Sequence, residues 1–291
     1  MDFQNTLNGY VDRFNNVLSD YLQSISSDIP STLYEAINYS MTPGGKRIRP
    51  VLCYMVADML GVDLFEVDNY AMAVEMIHSY SLVHDDLPCM DDDDYRRGKF
   101  STHKQFGEAT AVLTGDALLN LAVETCLNKN NLSNKDFLAL KILFECSGAS
   151  GMIKGQVLDL ENQSNSFATE QIMTNISINK TSKLILAPIL ISSIMADNAY
   201  YNELKEYATL LGLLFQITDD ILDVESTFNQ LGKTPNKDEK ADKTSAVKVY
   251  GLDGAKEKAY SLYARCVCIL NKISNSNKLI ELTEKIYKRK S

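Results

Sequence analysis

Glycine and proline are scarce in this chain of 291 residues, which contains 14 glycines and 6 prolines. No stretch alternates apolar and polar residues as a half-buried strand does, whereas most segments repeat apolar residues at spacings of three and four. This pattern predicts an all-α protein. No segment has the composition of an interdomain linker, so we expect a single domain over residues 1–291.

A basic excess is also missing, because 38 Asp and Glu residues outnumber 29 Lys and Arg residues and give a net charge of −9. This charge disfavours nucleic acid and anionic membrane surfaces as partners. The first 20 residues lack the pattern of a secretory signal, and the longest apolar run, 184–196, is short for a bilayer and contains Pro188. We therefore expect no stable membrane anchor.

Cysteine pairs with metal-site spacing are absent too. The six cysteines show no CxxC motif and no nearby histidine, which argues against a zinc site. Cysteines scattered through apolar stretches fit a reducing compartment, so we expect a cytoplasmic protein.

Short segments rich in Asn and Ser, at 129–134, 161–167 and 274–278, are typical of turns between packed helices. Residues 225–245 differ, because they contain Gly232, Pro235 and eight charged side chains. A connection that long and polar indicates a lid rather than a simple turn.

An acidic motif, FQITDDILDV at 215–224, continues the apolar stripe of a predicted helix. Asp219 and Asp223 lie one helical turn apart with Asp220 beside them, so three carboxylates crowd one helix end. A solvated helix face is the usual explanation for an isolated DDxxD. Here the acids extend a stripe that faces the core, which favours a cation site.

A second acidic motif, HDDLPCMDDDD at 84–94, also ends a predicted helix. Pro88 should end or distort that helix near His84, which would let Asp91 fold back towards Asp85. A calcium loop is an alternative, but the central glycine and terminal glutamate of an EF-hand are missing. Two carboxylate clusters that face each other suit magnesium and would hold a diphosphate between them.

Basic residues are available to bind such an anion. The segment PGGKRIRP at 43–50 places Lys46, Arg47 and Arg49 at a predicted helix start, and Arg96 and Arg97 follow the acidic run directly. Lys180, Lys233 and Lys243 are further candidates, although a single lysine is usually a solvated surface residue.

Six motifs occur here in the order that is found in trans-prenyl diphosphate synthases. They are GGKRIRP, HDDLPCMDDDDYRRG, GQVLDL, KTSKL, FQITDDILDV and the GK of Gly232 and Lys233. The chain resembles the bacterial farnesyl diphosphate synthase branch of that family most closely. The resemblance implies an antiparallel helical bundle around a deep central cavity, the isoprenoid synthase fold, assembled as a homodimer.

The resemblance also implies roles for individual residues. Asp85, Asp91 and Asp219, with Asp223, would bind three magnesium ions, while Asp86 would act indirectly. Arg96, Lys180, Thr181, Gln216 and Lys233 would surround the allylic diphosphate, with Lys46, Arg49, His78 and Arg97 around isopentenyl diphosphate. The catalytic set would be Asp85, Asp91, Asp219, Lys180 and Arg96. A lone histidine such as His78 is more often structural. The basic tail of Lys288, Arg289 and Lys290 is similar to a closing segment.

The implied reaction is a magnesium-assisted head-to-tail condensation of isopentenyl diphosphate with dimethylallyl and geranyl diphosphate, which gives farnesyl diphosphate. The alternatives are a geranyl or geranylgeranyl diphosphate synthase, a class I terpene cyclase and a non-catalytic synthase subunit. Ser81 lies one turn before Asp85, and its small side chain would leave space for a growing chain. Tyr80 resembles the aromatic residue that limits product length, although ideal helix geometry turns it away from Asp85 and it would then pack between helices.

Overall fold

The computed structural model of the protein describes residues 2–129, 131–163, 169–225 and 244–289. The N-terminal half comprises α1 (Phe3–Ile25), α2 (Ser31–Met41), α3 (Ile48–Met59), α4 (Asp68–Asp85), a hairpin of β1 (Tyr95–Arg96) and β2 (Lys99–Phe100), α5 (Thr102–Phe106) and α6 (Glu108–Leu127). The C-terminal half comprises α7 (Asn134–Ser147), α8 (Met152–Glu161), α9 (Glu170–Ser177), a π-helical turn (Ile178–Ser182), α10 (Lys183–Met195), α11 (Tyr201–Glu225), α12 (Ala246–Leu270) and α13 (Asn277–Tyr287). The predicted all-α class is confirmed.

Two helices, α4 and α10, form the centre of the bundle. Residues 184–194 of α10 and 70–77 of α4 are all buried, so each helix is covered on every side. Helix α10 packs against α3, α7 and α11, and α4 packs against α3 and α6. A helix that is apolar around its whole circumference needs such neighbours.

The outer helices bury one face only. In α1 the buried residues are Leu7, Tyr10, Phe14, Leu18 and Leu22, which recur at the spacing of one helix face. Full burial of such a side chain contributes roughly 1.5–3 kcal/mol. This stripe holds α1 against α3 and α4.

The hairpin is the one regular strand pairing in the described part of the chain. Tyr95 pairs with Phe100 across it, and their rings stack with centroids 5.1 Å apart. The turn residues Arg97 and Gly98 have φ angles of 54° and 75°, as the favoured two-residue hairpin turn requires. Strands of two residues are too short to produce an alternating pattern, which is why the sequence did not predict them.

Two helical stretches of the described residues have the length and hydropathy of a membrane span, Glu108–Leu127 and Glu170–Met195. The most apolar window of the second is 78% buried inside the protein, as in the core helix of a globular bundle, whereas that of the first is 44% buried.

Candidate active site

A cavity of about 710 Å³ opens between the ends of α4, α8, α11 and the π-helical turn. Eleven side chains that the sequence singled out line it: Arg49, His78, Tyr80, Ser81, Asp85, Arg96, Arg97, Lys180, Thr181, Gln216 and Asp219. Residues from five separate segments of the sequence therefore meet around one space.

The first acidic cluster forms where α4 ends. Asp85 is the last residue of the helix, and the chain then turns back so that the amide of Asp91 donates to the carbonyl of Asp85 at 2.9 Å. The predicted fold-back after Pro88 is confirmed. Burial raises the pKa of the Asp85 carboxyl to about 6, while Lys180 lowers it and the charge of Asp91 raises it further. Because this half-buried carboxylate is partly desolvated and is repelled by Asp91, a bound cation would stabilise its charge.

Asp86 points away from the cavity and holds Arg96. The ε nitrogen of Arg96 donates to both carboxylate oxygens of Asp86, at 3.0 and 3.2 Å, and its guanidinium also pairs with Asp93 at 3.2 Å. Because these contacts fix the guanidinium at the cavity wall, Asp86 acts on the site through Arg96. The indirect role of Asp86 at a magnesium site, which the resemblance implied, stays a prediction.

The outer side of the same loop carries a separate group. One ring nitrogen of His103 and one oxygen each from Asp92 and Asp94 lie within 4.8 Å of one another. Asp94 already pairs with Lys104 at 2.8 Å, and neither carboxylate lines the cavity. The acidic run therefore has an inner side at Asp85 and an outer side that faces solvent.

The three acids of the second motif have separate surroundings. Asp219 faces the cavity. Asp220 is 4% exposed and accepts hydrogen bonds from the Gln216 amide at 2.8 Å and from the backbone N–H of Ala246 at 2.6 Å, so it caps the start of α12. Asp223 is 3% exposed and is not among the cavity-lining residues. Of the three acids of this motif, Asp219 is the one that lines the cavity.

Arg289 lies directly on Asp219. Its guanidinium approaches the Asp219 carboxylate to 2.9 Å, donates to the Thr218 hydroxyl at 3.0 Å and lies 4.0 Å from the centre of the Phe215 ring. The C-terminal segment thus reaches the second acidic motif. The sequence singled out both the basic tail and Asp219, but it did not predict that they would pair.

A pocket of about 250 Å³ adjoins the cavity, and all four residues predicted for one diphosphate line it, namely Lys46, Arg49, His78 and Arg97. Burial lowers the pKa of Arg49 to about 10, against the opposing effect of Glu75, so Arg49 is charged at neutral pH. Burial, followed by the charges of Arg49 and Arg97, holds the pKa of His78 well below its usual range. The pocket therefore offers arginines and a neutral imidazole to an anion.

Arg47, which stands between these residues, has a structural role instead. It is 3% exposed, pairs with Glu75 at 2.9 Å and lies 5.1 Å over the Phe14 ring. Its φ angle of 47° lets it turn inward just before α3 begins.

The wall opposite α4 is built by the π-helical turn. The Lys180 ammonium pairs with Asp159 at 2.6 Å, and the Thr181 hydroxyl donates to the Gln216 side-chain oxygen at 2.7 Å. Asp159 belongs to the GQVLDL motif, for which the sequence gave no individual roles. Its relation to Lys180 depends on two helices that meet only in the fold.

Part of the cavity wall is apolar. Tyr80 is 7% exposed there, packs edge-on against His84 with centroids 5.9 Å apart, and lies with Leu119, Met152 and Leu160 along the wall. Ser81 also lines the cavity, and its hydroxyl donates back to the carbonyl of His78 at 2.9 Å. Tyr80, the predicted length limit, and Ser81, whose small side chain was expected to leave space, therefore both border the cavity.

Lys233 and Lys243, together with Gly232 in the predicted lid, lie outside the described residues.

An all-helical bundle whose central cavity carries facing carboxylates beside a basic pocket defines a class of enzymes, the helical isoprenoid synthases. The chain belongs to the polyprenyl synthetase family, whose sequence profile matches residues 30–286. It is accordingly a prenyltransferase, as the resemblance implied.

The farnesyl diphosphate synthase of Haemophilus influenzae is 40% identical over 284 residues, which cover 96% of each chain. A chloroplastic geranylgeranyl pyrophosphate synthase of Capsicum annuum is 40% identical over 237 residues, 80% of this chain and 64% of the relative. A crystal structure of a Helicobacter pylori geranyltransferase with magnesium and isoprenyl diphosphate superposes with a TM-score of 0.86, at 29% identity and 99% coverage of both chains.

Proposed function

We propose that this prenyltransferase is a farnesyl diphosphate synthase, which joins isopentenyl diphosphate to dimethylallyl diphosphate and then to geranyl diphosphate. The observation that carries the proposal is the cavity itself. Asp85, Asp219 and Lys180 surround one end, the pocket of Arg49 and Arg97 adjoins it, and the space beyond is apolar. Two anionic groups and one hydrocarbon chain fit this division.

The reaction breaks the bond between the allylic carbon and its diphosphate oxygen, forms a carbon–carbon bond to isopentenyl diphosphate and releases one proton. Lys180 and Arg96 stabilise the negative charge on the departing diphosphate. Arg49 and Arg97 hold the second diphosphate, and the apolar wall excludes water from the reacting carbons. The departing diphosphate accepts the proton, which is consistent with a cavity whose described lining residues include no paired nucleophile and base.

The carboxylates fit magnesium, a cation that prefers oxygen ligands and keeps several waters. Asp85, Asp91, Asp219 and Asp223 would hold three such ions, and the bound cations would neutralise charge on the departing diphosphate. The support comes from the Asp85 carboxyl, whose pKa burial and the neighbouring Asp91 raise, and from Asp219, which pairs with the cationic Arg289.

The proposal is tested by separating the products after incubation with dimethylallyl and isopentenyl diphosphates. A fifteen-carbon diphosphate as the main product supports it. A ten- or twenty-carbon product indicates a geranyl or geranylgeranyl diphosphate synthase, and hydrocarbon released without isopentenyl diphosphate indicates a terpene cyclase.

The two anion sites predict opposite kinetic defects. Arg97→Ala should raise the KM for isopentenyl diphosphate about tenfold or more, because an arginine–phosphate contact contributes about 1.5–3 kcal/mol, and the KM for geranyl diphosphate should change less. Lys180→Ala should show the opposite bias. Steady-state kinetics with each substrate varied in turn measures both effects, and equal effects on the two substrates would contradict the assignment.

Arg289 and a metal ion compete for Asp219 in this scheme. Arg289→Ala should therefore bind Mn²⁺ about three- to tenfold more tightly than the wild type when no substrate is present, since a competing ion pair is removed. Isothermal titration measures the affinity. Lys288→Ala is the matched control, because Lys288 pairs with Glu284 instead. Unchanged or weaker binding in Arg289→Ala would refute the competition.

The homodimer and the cytoplasmic location remain part of the proposal. Val112 and Leu113 on α6 are 41% and 58% exposed, which gives a second copy an apolar surface to cover. All six cysteines, which lie in the described part of the chain, are free thiols, as is usual in a reducing compartment. Light scattering in solution tests the dimer.

A further inference from the structure

The π-helical turn presents Lys180 and Thr181 together at the cavity. The backbone N–H of Lys183 donates to the carbonyl of Ile178, five residues earlier, which is the hydrogen bond of a π-helix. The extra residue interrupts the helical run from α9 to α10 at the point where the cavity begins. Such turns need support from their neighbours, because they are rare in isolation.

Two glycines, each on a different neighbouring helix, pack directly against the turn. A Cβ atom at Gly155 of α8 would lie 2.1 Å from the backbone nitrogen of Lys180. A Cβ atom at Gly212 of α11 would lie 2.3 Å from the Ser182 hydroxyl oxygen and 2.4 Å from its Cα. All three distances are shorter than the contacts that real Cβ atoms make. Helices α8 and α11 can approach the turn this closely only because these positions are glycine.

Helix α8 also holds the other end of the Lys180 side chain. Asp159 lies one helical turn after Gly155 and is 9% exposed. Its carboxylate accepts a hydrogen bond from the Lys180 ammonium at 2.6 Å. The same face of α8 therefore contacts the backbone of Lys180 through Gly155 and its ammonium through Asp159. Between these two contacts the lysine side chain has little freedom.

We propose that Gly155 and Asp159 are positioning residues, which fix the Lys180 ammonium where charge develops on the departing diphosphate. This inference rests on the proposed function of Lys180. A fixed ammonium stabilises the transition state without reorganisation, whereas a mobile ammonium still attracts a diphosphate in the ground state. Loss of the clamp should therefore lower kcat more than it changes KM.

Asp159→Asn retains the shape of the side chain and removes its charge. We expect kcat to fall about tenfold or more, while the KM for geranyl diphosphate changes less than about threefold and the KM for isopentenyl diphosphate is unaffected. Gly155→Ala should give the same split and should speed amide hydrogen exchange in residues 178–183, because the turn must move away from the new methyl group. Gly9→Ala is the control, since nothing lies within 4 Å of that helical position.

A double-mutant cycle separates positioning from general stability. If Asp159 acts through Lys180, Asp159→Asn should have almost no further effect on kcat once Lys180 is alanine. Additive effects would overturn the proposal, and so would Asp159→Asn and Gly155→Ala proteins that keep wild-type turnover and exchange. If the wild type forms no prenyl diphosphate but Gly155→Ala still exchanges faster in residues 178–183, the result would uphold the geometry of the clamp and overturn its catalytic role.

Discussion

Asp85→Ala and Asp219→Ala should each lower kcat at least ~100-fold, because each removes a carboxylate that would hold the magnesium ions, whose positive charge would stabilise the departing diphosphate. The two residues lie on α4 and α11 and face the same cavity. Their loss should therefore not be compensated by the remaining acids, of which Asp220 is occupied at the start of α12. Steady-state turnover with saturating magnesium measures the effect.

A matched control is available on α1. Asp12 is an exposed helical carboxylate, and Asp12→Ala should leave turnover within about twofold of wild type. Removal of magnesium with EDTA should reproduce the defect of Asp85→Ala in the wild type. Near-normal turnover in EDTA would show that the carboxylates do not act through a cation.

Replacement of the Asp85 carboxyl should stabilise the metal-free fold, although it lowers turnover. Its folded pKa, about 6, is above the ordinary value of 3.8, so ionisation destabilises the fold and the contribution of the protonated group is lost as the pH rises through 6. Asp85→Asn should then raise the free energy of unfolding of the metal-free protein at pH 7.5, by on the order of 2–3 kcal/mol. A rise in Tm together with lost turnover would identify Asp85 as a functional rather than structural residue.

The sequence was sufficient for features that local chemistry decides. The apolar periodicity predicted the helices, and Pro88 predicted the end of α4. That Lys46 and Arg97 share a pocket was implied by the family resemblance and not by local chemistry.

Other features depend on how distant segments pack, and no local pattern reports them. Arg289 contacts Thr218 from 71 residues away. The π-helical turn packs against glycines on two other helices, and the sequence alone does not distinguish these two glycines from glycines in loops. The acids of the second motif share one helix end, yet Asp220 accepts a hydrogen bond from the start of α12, whereas Asp219 lines the cavity.

The position of Tyr80 also depends on packing that the local sequence does not report. Ideal helix geometry turns it away from Asp85, so the sequence left open whether it only packs between helices. In the structure the cavity is wide enough to border Tyr80, Ser81 and Asp85 together. The Tyr80 hydroxyl is buried and has no hydrogen-bond partner among the described residues, so the ring is a wall rather than part of a polar network.

Replacing Tyr80 by alanine should therefore lengthen the product from fifteen carbons to twenty or more, because the growing chain is anchored by its diphosphate and the aromatic ring blocks its far end. Ser81→Phe should shorten the product to ten carbons by filling the space one turn from Asp85. Product chromatography measures both shifts. Tyr260→Ala is the control, since that ring is 60% exposed and remote from the cavity wall. A folded Tyr80→Ala enzyme that still releases only the fifteen-carbon product would place the limiting wall elsewhere, at side chains such as Leu119 or Met152.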